Sequence, residues 1–247
     1  MTVADRDAPV RLGSLLELVH CALDQVTTFE AEFRDWTKPV PSLTVLVGRE
    51  LDVAPAREPK RFRWHGGGPF PRPTQVTRHI WFKSPGSLRV EIRQNGNLVR
   101  LGIRDGSRWW RWDKNDGASA GDATGPSAGG GMPSLLDLSL ITPARVLGWL
   151  RLEPAGAGRR AGRKVIVARG WPRQHAEPPQ PIHQELEFDA EHGTMLRSAT
   201  FVNGQCVQST EATTIEYARR VDPARFVYSS PSRAPAQVVE DPSAWRG

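Results

Sequence analysis

Apolar and polar residues alternate along most of this chain, and a period of two predicts β-strands with one buried face. In residues 87–94, the apolar positions Leu88, Val90 and Ile92 alternate with charged residues. Comparable runs predict further strands at 29–36, 43–51, 75–83, 97–104, 107–113, 163–171, 182–189, 195–202 and 205–218, and a short turn and strand at 221–231. The alternation therefore predicts a mainly β protein.

Tight turn signals separate these runs. Asn95-Gly96, Asp105-Gly106 and Asn203-Gly204 are typical of two-residue hairpin turns. Such short connections join antiparallel strands, whereas parallel strands need longer crossovers. We therefore expect one long antiparallel meander, of the α+β class because of the helices.

Two regions have a helical period instead. Residues 14–27 form a predicted amphipathic helix with Ser14 as its N-cap, and its apolar face carries Leu15, Leu18, Val19, Ala22, Leu23 and Val26. A second helical region is predicted over 132–152, in two pieces. Its second piece begins with Thr142 as N-cap and Pro143 at the first helical position.

Composition shifts divide the rest of the chain. Residues 1–13 are predicted to be a flexible N-terminus and residues 232–247 a C-terminal tail, which leaves a single domain over 14–231. Within it, residues 114–131 are rich in Gly, Ala and Ser and are predicted to be a disordered loop.

The chain is basic, with a formal net charge of +6 and 33 Lys and Arg residues, only five of them Lys. Between Arg145 and Arg173 the single acid is Glu153. Such a basic stretch is either a solvated face or a surface that attracts anionic groups. Nucleic-acid binding is disfavoured, because no helix-turn-helix or RNA-binding signature accompanies the charge. The N-terminus shows no signal peptide and no run approaches a membrane span, so a cytoplasmic protein is expected as written.

Catalytic and metal motifs are not evident. The six histidines have no metal-type spacing, and Cys21 and Cys206 are expected to be free thiols. The acids Glu185, Glu187 and Asp189 alternate along one strand, as on the solvent face of a sheet. The sequence therefore predicts no enzyme, no cofactor and no metal.

Four segments together resemble a known family. LDQVTTFEAEF (23–33) resembles the start of LolA-type lipoprotein carriers, and HIWFKSPGSLRVEI (79–92) resembles their "Trp-val-Lys-x-Pro" strand and the strand after it. GIRDGSRWWRWD (102–113) is similar to their "Asp-Gly-x-x-x-Trp" hairpin, and VDPARFVYSSP (221–231) to their closing "Val-Asp-x-x-x-Phe" segment. The four matches follow the family's order.

The chain thus resembles a divergent, actinobacterial-type member of the LolA-like and RseB-like lipoprotein-carrier superfamily. This implies a strongly curved, antiparallel, open half-barrel, with an N-terminal helix and a short helical lid on its concave side. It implies non-catalytic binding of a lipid or acyl chain as carrier or sensor, or alternatively an RseB-like regulatory module that binds a protein without lipid. Peripheral membrane contact is compatible with either role, and the oligomeric state stays open. Relatives are extracytoplasmic. In the carriers an Arg that holds the lid shut precedes the turn proline, and here that position is Ser84.

The inward positions of the implied half-barrel are the candidate ligand contacts. On the strands these are Phe33, Ile80, Phe82, Val90, Ile92, Leu101, Ile103, Trp110, Leu186 and Phe188. On the lid they are Leu135, Leu136, Leu138, Leu147 and Trp149. Arg159, Arg160 and Arg163 are candidates for holding an anionic head group.

Overall fold

The structure is a computed structural model that describes residues 11–38, 74–122, 140, 142–173, 182–231 and 237–238. The α-helix α1 spans Leu12–Gln25. The strands are β1 Thr28–Thr37, β2 Thr74–Lys83, β3 Ser87–Gln94, β4 Asn97–Asp105, β5 Arg108–Asp113, β6 Gly117–Asp122, β7 Leu150–Arg160, β8 Arg163–Pro172, β9 Ile182–Asp189, β10 Met195–Val202, β11 Gln205–Tyr217 and β12 Gln237–Val238. Two 3₁₀ helices span Pro143–Gly148 and Pro223–Phe226.

All the described strands form one open sheet, in the order β12-β6-β5-β4-β3-β2-β1-β11-β10-β9-β8-β7. Every neighbouring pair is antiparallel except β12 with β6, which is parallel. Strand β1 pairs with both β2 and β11 and so joins the two halves of the meander. The predicted fold class, a curved antiparallel half-barrel with an N-terminal helix, is confirmed.

Several local predictions are corrected. Helix α1 begins at Leu12, so Ser14 is not its N-cap and Leu12 and Gly13 do not belong to a flexible N-terminus. Residues 117–122, predicted to be disordered, form β6, because small side chains pair along β5 at little steric cost. In the predicted tail, Gln237–Val238 pair with β6. The strand 43–51 lies outside the described residues.

The predicted helical lid is also corrected where it is described. Pro143–Gly148 form one 3₁₀ helix rather than the start of an α-helix, and Leu150 already begins β7. The residues from Leu150 onward pair with β8 instead, with Leu152 opposite Gly170. At the C-terminal end, residues 221–231 contain a 3₁₀ helix, Pro223–Phe226, and no strand.

A β-bulge in β4 decides which face each later residue occupies. Arg93 pairs with Leu98, but Ile92 pairs with Arg100, so Val99 is an extra residue in β4. A shift of one residue moves every following side chain to the opposite face of a sheet. Val90 therefore lies opposite Gly102 rather than Leu101. We call the face that carries Val90 and contacts α1 concave, and the other face convex.

One residue beyond β11 adopts a backbone conformation that its side chain disfavours. Ala218 is exposed and has a φ of 55°, in the left-handed region. For a residue with a Cβ other than Asn or Asp, this conformation costs about 1–2 kcal/mol. We expect Ala218→Asn to raise the free energy of unfolding in urea by about 0.5–1 kcal/mol. The matched change Ala157→Asn, at an exposed strand position, should give no gain; equal gains would contradict the assignment.

None of the helices in the described ranges is both long enough and apolar enough to cross a membrane.

Candidate functional site: the concave face

The concave face carries a continuous apolar wall. Phe29, Ala31 and Phe33 of β1 lie beside Phe82 and Ile80 of β2, and the wall continues on the outer strands of both halves. Its other members are Leu88, Val90, Ala168, Leu186, Phe188, Leu196 and Ala212. The predicted contacts Phe33, Ile80, Phe82, Val90, Leu186 and Phe188 are all buried here, and Ile92 is partly buried against them. The structure thus brings seven predicted strand positions onto one surface.

This wall is covered by helices rather than by a second sheet. Helix α1 buries Leu15, Val19 and Ala22 against it, while Leu12 and Leu23 remain exposed. The 3₁₀ helix Pro143–Gly148 packs against α1, and the predicted lid residues Leu147 and Trp149 are partly buried in the same cluster. We call α1 and this 3₁₀ helix the cover. The predicted contacts Leu135, Leu136 and Leu138 lie outside the described residues.

The described part of the cover is short relative to the sheet. A helix of 14 residues is about 21 Å long and about 10 Å wide, whereas twelve paired strands spaced at about 4.8 Å span roughly 50 Å. Only two large side chains, Leu15 and Val19, are fully buried along α1. Because burial contributes about 1.5–3 kcal/mol for each such side chain, these two residues together contribute about 3–6 kcal/mol to the packing of α1 on the wall.

Helix α1 rests on the turn between β9 and β10. Gly193 has a φ of +72°, and a Cβ at this position would lie 2.3 Å from the Leu18 carbonyl oxygen and 3.1 Å from the Ala22 Cβ. Only glycine therefore fits between the turn and the helix. We call this contact the helix seat.

Buried polar groups fix the shape of the seat. Asp189 is fully buried, and its carboxylate accepts hydrogen bonds from the Arg163 guanidinium and from the N–H groups of Glu191 and His192. Burial alone would raise the pKa of Asp189, but these hydrogen bonds outweigh it and lower the pKa below its usual value. The acceptor is thus held ionised, and the turn is held in one conformation.

Tyr217 ties the seat to the wall. Its ring stacks on His192 at 3.8 Å, lies under the Arg163 guanidinium and contacts Phe29, while its hydroxyl hydrogen-bonds Thr194. Burial raises the pKa of the Tyr217 hydroxyl, so the group stays neutral. Seat and wall are therefore one packed unit.

Asp189, Glu191 and His192 also bring three metal-type ligand atoms within 4.8 Å of one another. The carboxylate oxygens of Asp189 are already used by Arg163 and by backbone N–H groups. These hydrogen bonds explain why Asp189, Glu191 and His192 lie close together: they stabilise the turn between β9 and β10.

A buried ion pair marks one end of the apolar wall. Arg78 follows the wall on β2 and donates to Asp35 of β1 over 2.6 Å, and Thr210 is buried opposite Asp35. A buried, hydrogen-bonded pair is costly to separate. The apolar part of the concave face therefore ends here and extends toward α1.

Three predicted wall residues are on the wrong face. Leu101, Ile103 and Trp110 form a separate convex cluster with Trp112 and Ala118, because the extra residue Val99 reverses the faces of β4. The sequence analysis missed the bulge, because the residues that follow Val99 still alternate between apolar and other residues. The structure does not bring these three residues to the concave site.

The C-terminal segment covers part of that convex face. Val221 and Phe226 pack on Trp81, Tyr228 packs against the convex cluster, and Arg89 donates to the Arg225 carbonyl. We call residues 221–228 the convex strap. The convex strap contains most of the segment 221–231, which resembles the closing segment of LolA-type carriers. The sequence pattern did not predict on which face of the sheet this segment lies.

Two of the three predicted head-group residues are already engaged. Arg160 bonds Glu187 at 2.9 Å and Glu211 at 3.2 Å, and the hydrogen bonds to Glu187 raise its pKa. Arg163 pairs with Asp189 and Glu191. Both form ion pairs within the chain, so a head-group role for them is not supported. Arg159 is exposed at the end of β7.

The structure contains a shallow opening at the edge formed by β7 and β8. Its volume is about 170 Å³, and Glu153, Pro154, Ala155, Arg169 and Trp171 line it. Ligand pockets usually measure about 300–1,000 Å³, so this opening is small, and its lining residues are not those of the apolar wall.

Comparison with known proteins supports the fold. No protein-family model and no curated protein matches the sequence. Among solved structures, the chain is similar to one in the complex of MucA and MucB of Pseudomonas aeruginosa, with 17% identity and a TM-score of 0.51. That match covers 87% of this chain and 60% of the other, so this chain spans less than two thirds of its length.

Two further similarities have lower scores. A crystal structure of MucB has 18% identity and a TM-score of 0.49, covering 88% of this chain and 62% of that one. The lipoprotein LppX of Mycobacterium tuberculosis has 14% identity and a TM-score of 0.42, covering 86% of this chain and 99% of that one. Identities this low concern the fold alone. The open antiparallel sheet, its order and the match to the MucA/MucB complex together show that this chain has a LolA/LppX/RseB-like fold.

Proposed function

We propose that this protein is a non-catalytic binding protein that takes a lipid or acyl chain onto the apolar wall, beneath the cover. The observation that carries the proposal is the construction of the concave side, where two short helices of the described residues lie over a continuous apolar wall. The proposed contacts are Phe33, Ile80, Phe82, Val90, Ile92, Leu186 and Phe188 of the wall and Leu147 and Trp149 of the cover.

The free energy gained by burying an acyl chain is comparable with the cost of lifting α1 from the wall. Displacing α1 exposes Leu15, Val19 and Ala22, and the two larger side chains cost about 1.5–3 kcal/mol each. Burying roughly ten methylenes of an acyl chain returns about 8 kcal/mol, at about 0.8 kcal/mol per methylene. The remaining balance is available to offset the entropy of association.

A polypeptide cargo is the alternative. The similar fold in the MucA/MucB complex belongs to a protein that assembles with another protein. A peptide with apolar side chains can occupy the same wall once the cover is displaced. A lipid and a peptide would therefore occupy the same apolar wall.

The test weakens the cover without changing the wall. If α1 must move for binding, Val19→Ala lowers the cost of opening and raises the affinity for the fluorescent fatty acid cis-parinaric acid. A loss of about 1.4 kcal/mol in helix docking corresponds to a tenfold gain in affinity. Titration of the full chain, followed by probe fluorescence, measures this change.

Val221→Ala is the matched control. Val221 is also buried, but it belongs to the convex strap on Trp81. It should lower the free energy of unfolding by a similar amount and leave the probe affinity unchanged. No saturable binding by either protein, or equal gains for both variants, would contradict the proposal.

A further inference from the structure

The two edges of the sheet are protected to different degrees. Edge strand β7 contains Pro154, a bulge between Pro154 and Gly156, and Gly156 at a φ of +139°. Its exposed residues include Arg151 and Arg159. Proline, bulges and charge are the features that stop an edge strand from pairing with another chain. The β7 edge is therefore closed to strand addition.

The β6 edge is far less protected. Its sequence is GASAGD, and it pairs with β5 without a register shift. Asp122, at its end, is the only charged residue of β6, and the strand contains no proline, lysine or bulge. Nothing from Gly117 to Gly121 discourages a further strand from pairing with it.

The chain's own C-terminal residues already use this edge. Gln237 and Val238 form β12, which pairs in parallel with Ser119 and Ala120. Among the described residues, two of the six β6 residues are paired in this way. The edge thus accepts an added strand, and the described part of that strand spans two of the six β6 positions.

Tryptophans on β5 flank the edge on both faces. On the concave face Trp109 lies against Gly121, where an added Cβ would be 2.8 Å from the ring. On the convex face Trp112 pairs with Ala118 and Trp110 with Ala120. Because β6 has such small side chains, alternate residues of an added strand lie close to these rings. Apolar side chains suit such positions.

We propose that the β6 edge is a docking site for an extended segment of a partner polypeptide with apolar residues at alternate positions. The segment pairs with Gly117–Asp122 and displaces β12, which acts as an internal competitor. Main-chain hydrogen bonds supply the affinity and the tryptophans supply the side-chain preference. This site is separate from the apolar wall and does not depend on lipid binding.

The experiment uses the full chain and a ten-residue probe peptide of alternating valine and threonine with a lysine at each end. Val238→Pro removes an N–H from the internal competitor and should raise the probe affinity about fivefold. On addition of the probe, amide hydrogen exchange should slow in residues 117–122 and stay unchanged in β7. Fluorescence anisotropy of the labelled probe measures the affinity.

A matched pair of substitutions locates the site. Ala120→Lys places a charge on the β6 edge and should abolish probe binding, while Ala157→Lys makes the same change on β7 and should leave it intact. Failure of the probe to bind the Val238→Pro protein would overturn the proposal. Equal protection of both edges, or equal effects of the two lysines, would also overturn it.

Discussion

Replacing Gly193 by alanine is expected to lower the free energy of unfolding by about 2–5 kcal/mol, because it combines left-handed strain with overpacking. The new Cβ would lie 2.3 Å from the Leu18 carbonyl oxygen, so the turn or α1 must move. Urea unfolding of the full chain measures the loss. The same variant should bind cis-parinaric acid more tightly, since the helix seat no longer holds α1.

Gly204→Ala separates the two causes. Gly204 has a φ of +76°, close to that of Gly193, but an added Cβ there meets nothing within 4 Å. Gly204→Ala should therefore lower the free energy of unfolding by about 1–2 kcal/mol, the cost of backbone strain alone. Equal losses for Gly193→Ala and Gly204→Ala would mean that the seat does not hold the helix.

Asp189→Asn should lower the free energy of unfolding at neutral pH by about 3–5 kcal/mol, as expected when one partner of a buried ion pair is removed. Asp189 is fully buried and holds both Arg163 and the turn of the helix seat. Asp116→Asn is the control, because the Asp116 side chain is 76% exposed and its contact with Arg111 is 4.0 Å long.

The ion pair between Asp189 and Arg163 also predicts how stability depends on pH. The folded pKa of Asp189 is lowered, so its contribution to stability is complete above the unfolded pKa of about 3.9 and is lost as pH falls through the folded pKa. The native protein should therefore lose stability on acidification below about pH 4, and Asp189→Asn should lose less over that range. Urea midpoints measured between neutral and acidic pH test this. An unchanged acid dependence in the variant would contradict the role of Asp189.

Strand positions were largely predictable from the sequence, because alternation and turn residues are local signals. The predictions 182–189 and 195–202 coincide with β9 and β10. Asn95 and Asn203 both adopt positive φ before glycine, as the predicted hairpin turns require. Strand β6 was missed because its small residues carry no alternating pattern.

The candidate site was predictable only in part. Pairing through β1 placed Phe33 and Ile80 on one wall as expected. The face of Leu101 depended on Val99, a bulge set by tertiary pairing rather than by local sequence. The ion pairs of Arg160 and Arg163 join residues more than 20 positions apart, so a count of charges along the chain could not reveal them.

The most direct test of the central claim is photo-crosslinking of the full chain with a diazirine-bearing palmitic acid, followed by peptide mass spectrometry. The account predicts saturable labelling of wall peptides from β1, β2 and β9 and of α1, with competition by unlabelled palmitate. Labelling that instead falls on the convex cluster of Leu101, Ile103 and Trp110, or that does not saturate, would contradict binding on the concave face.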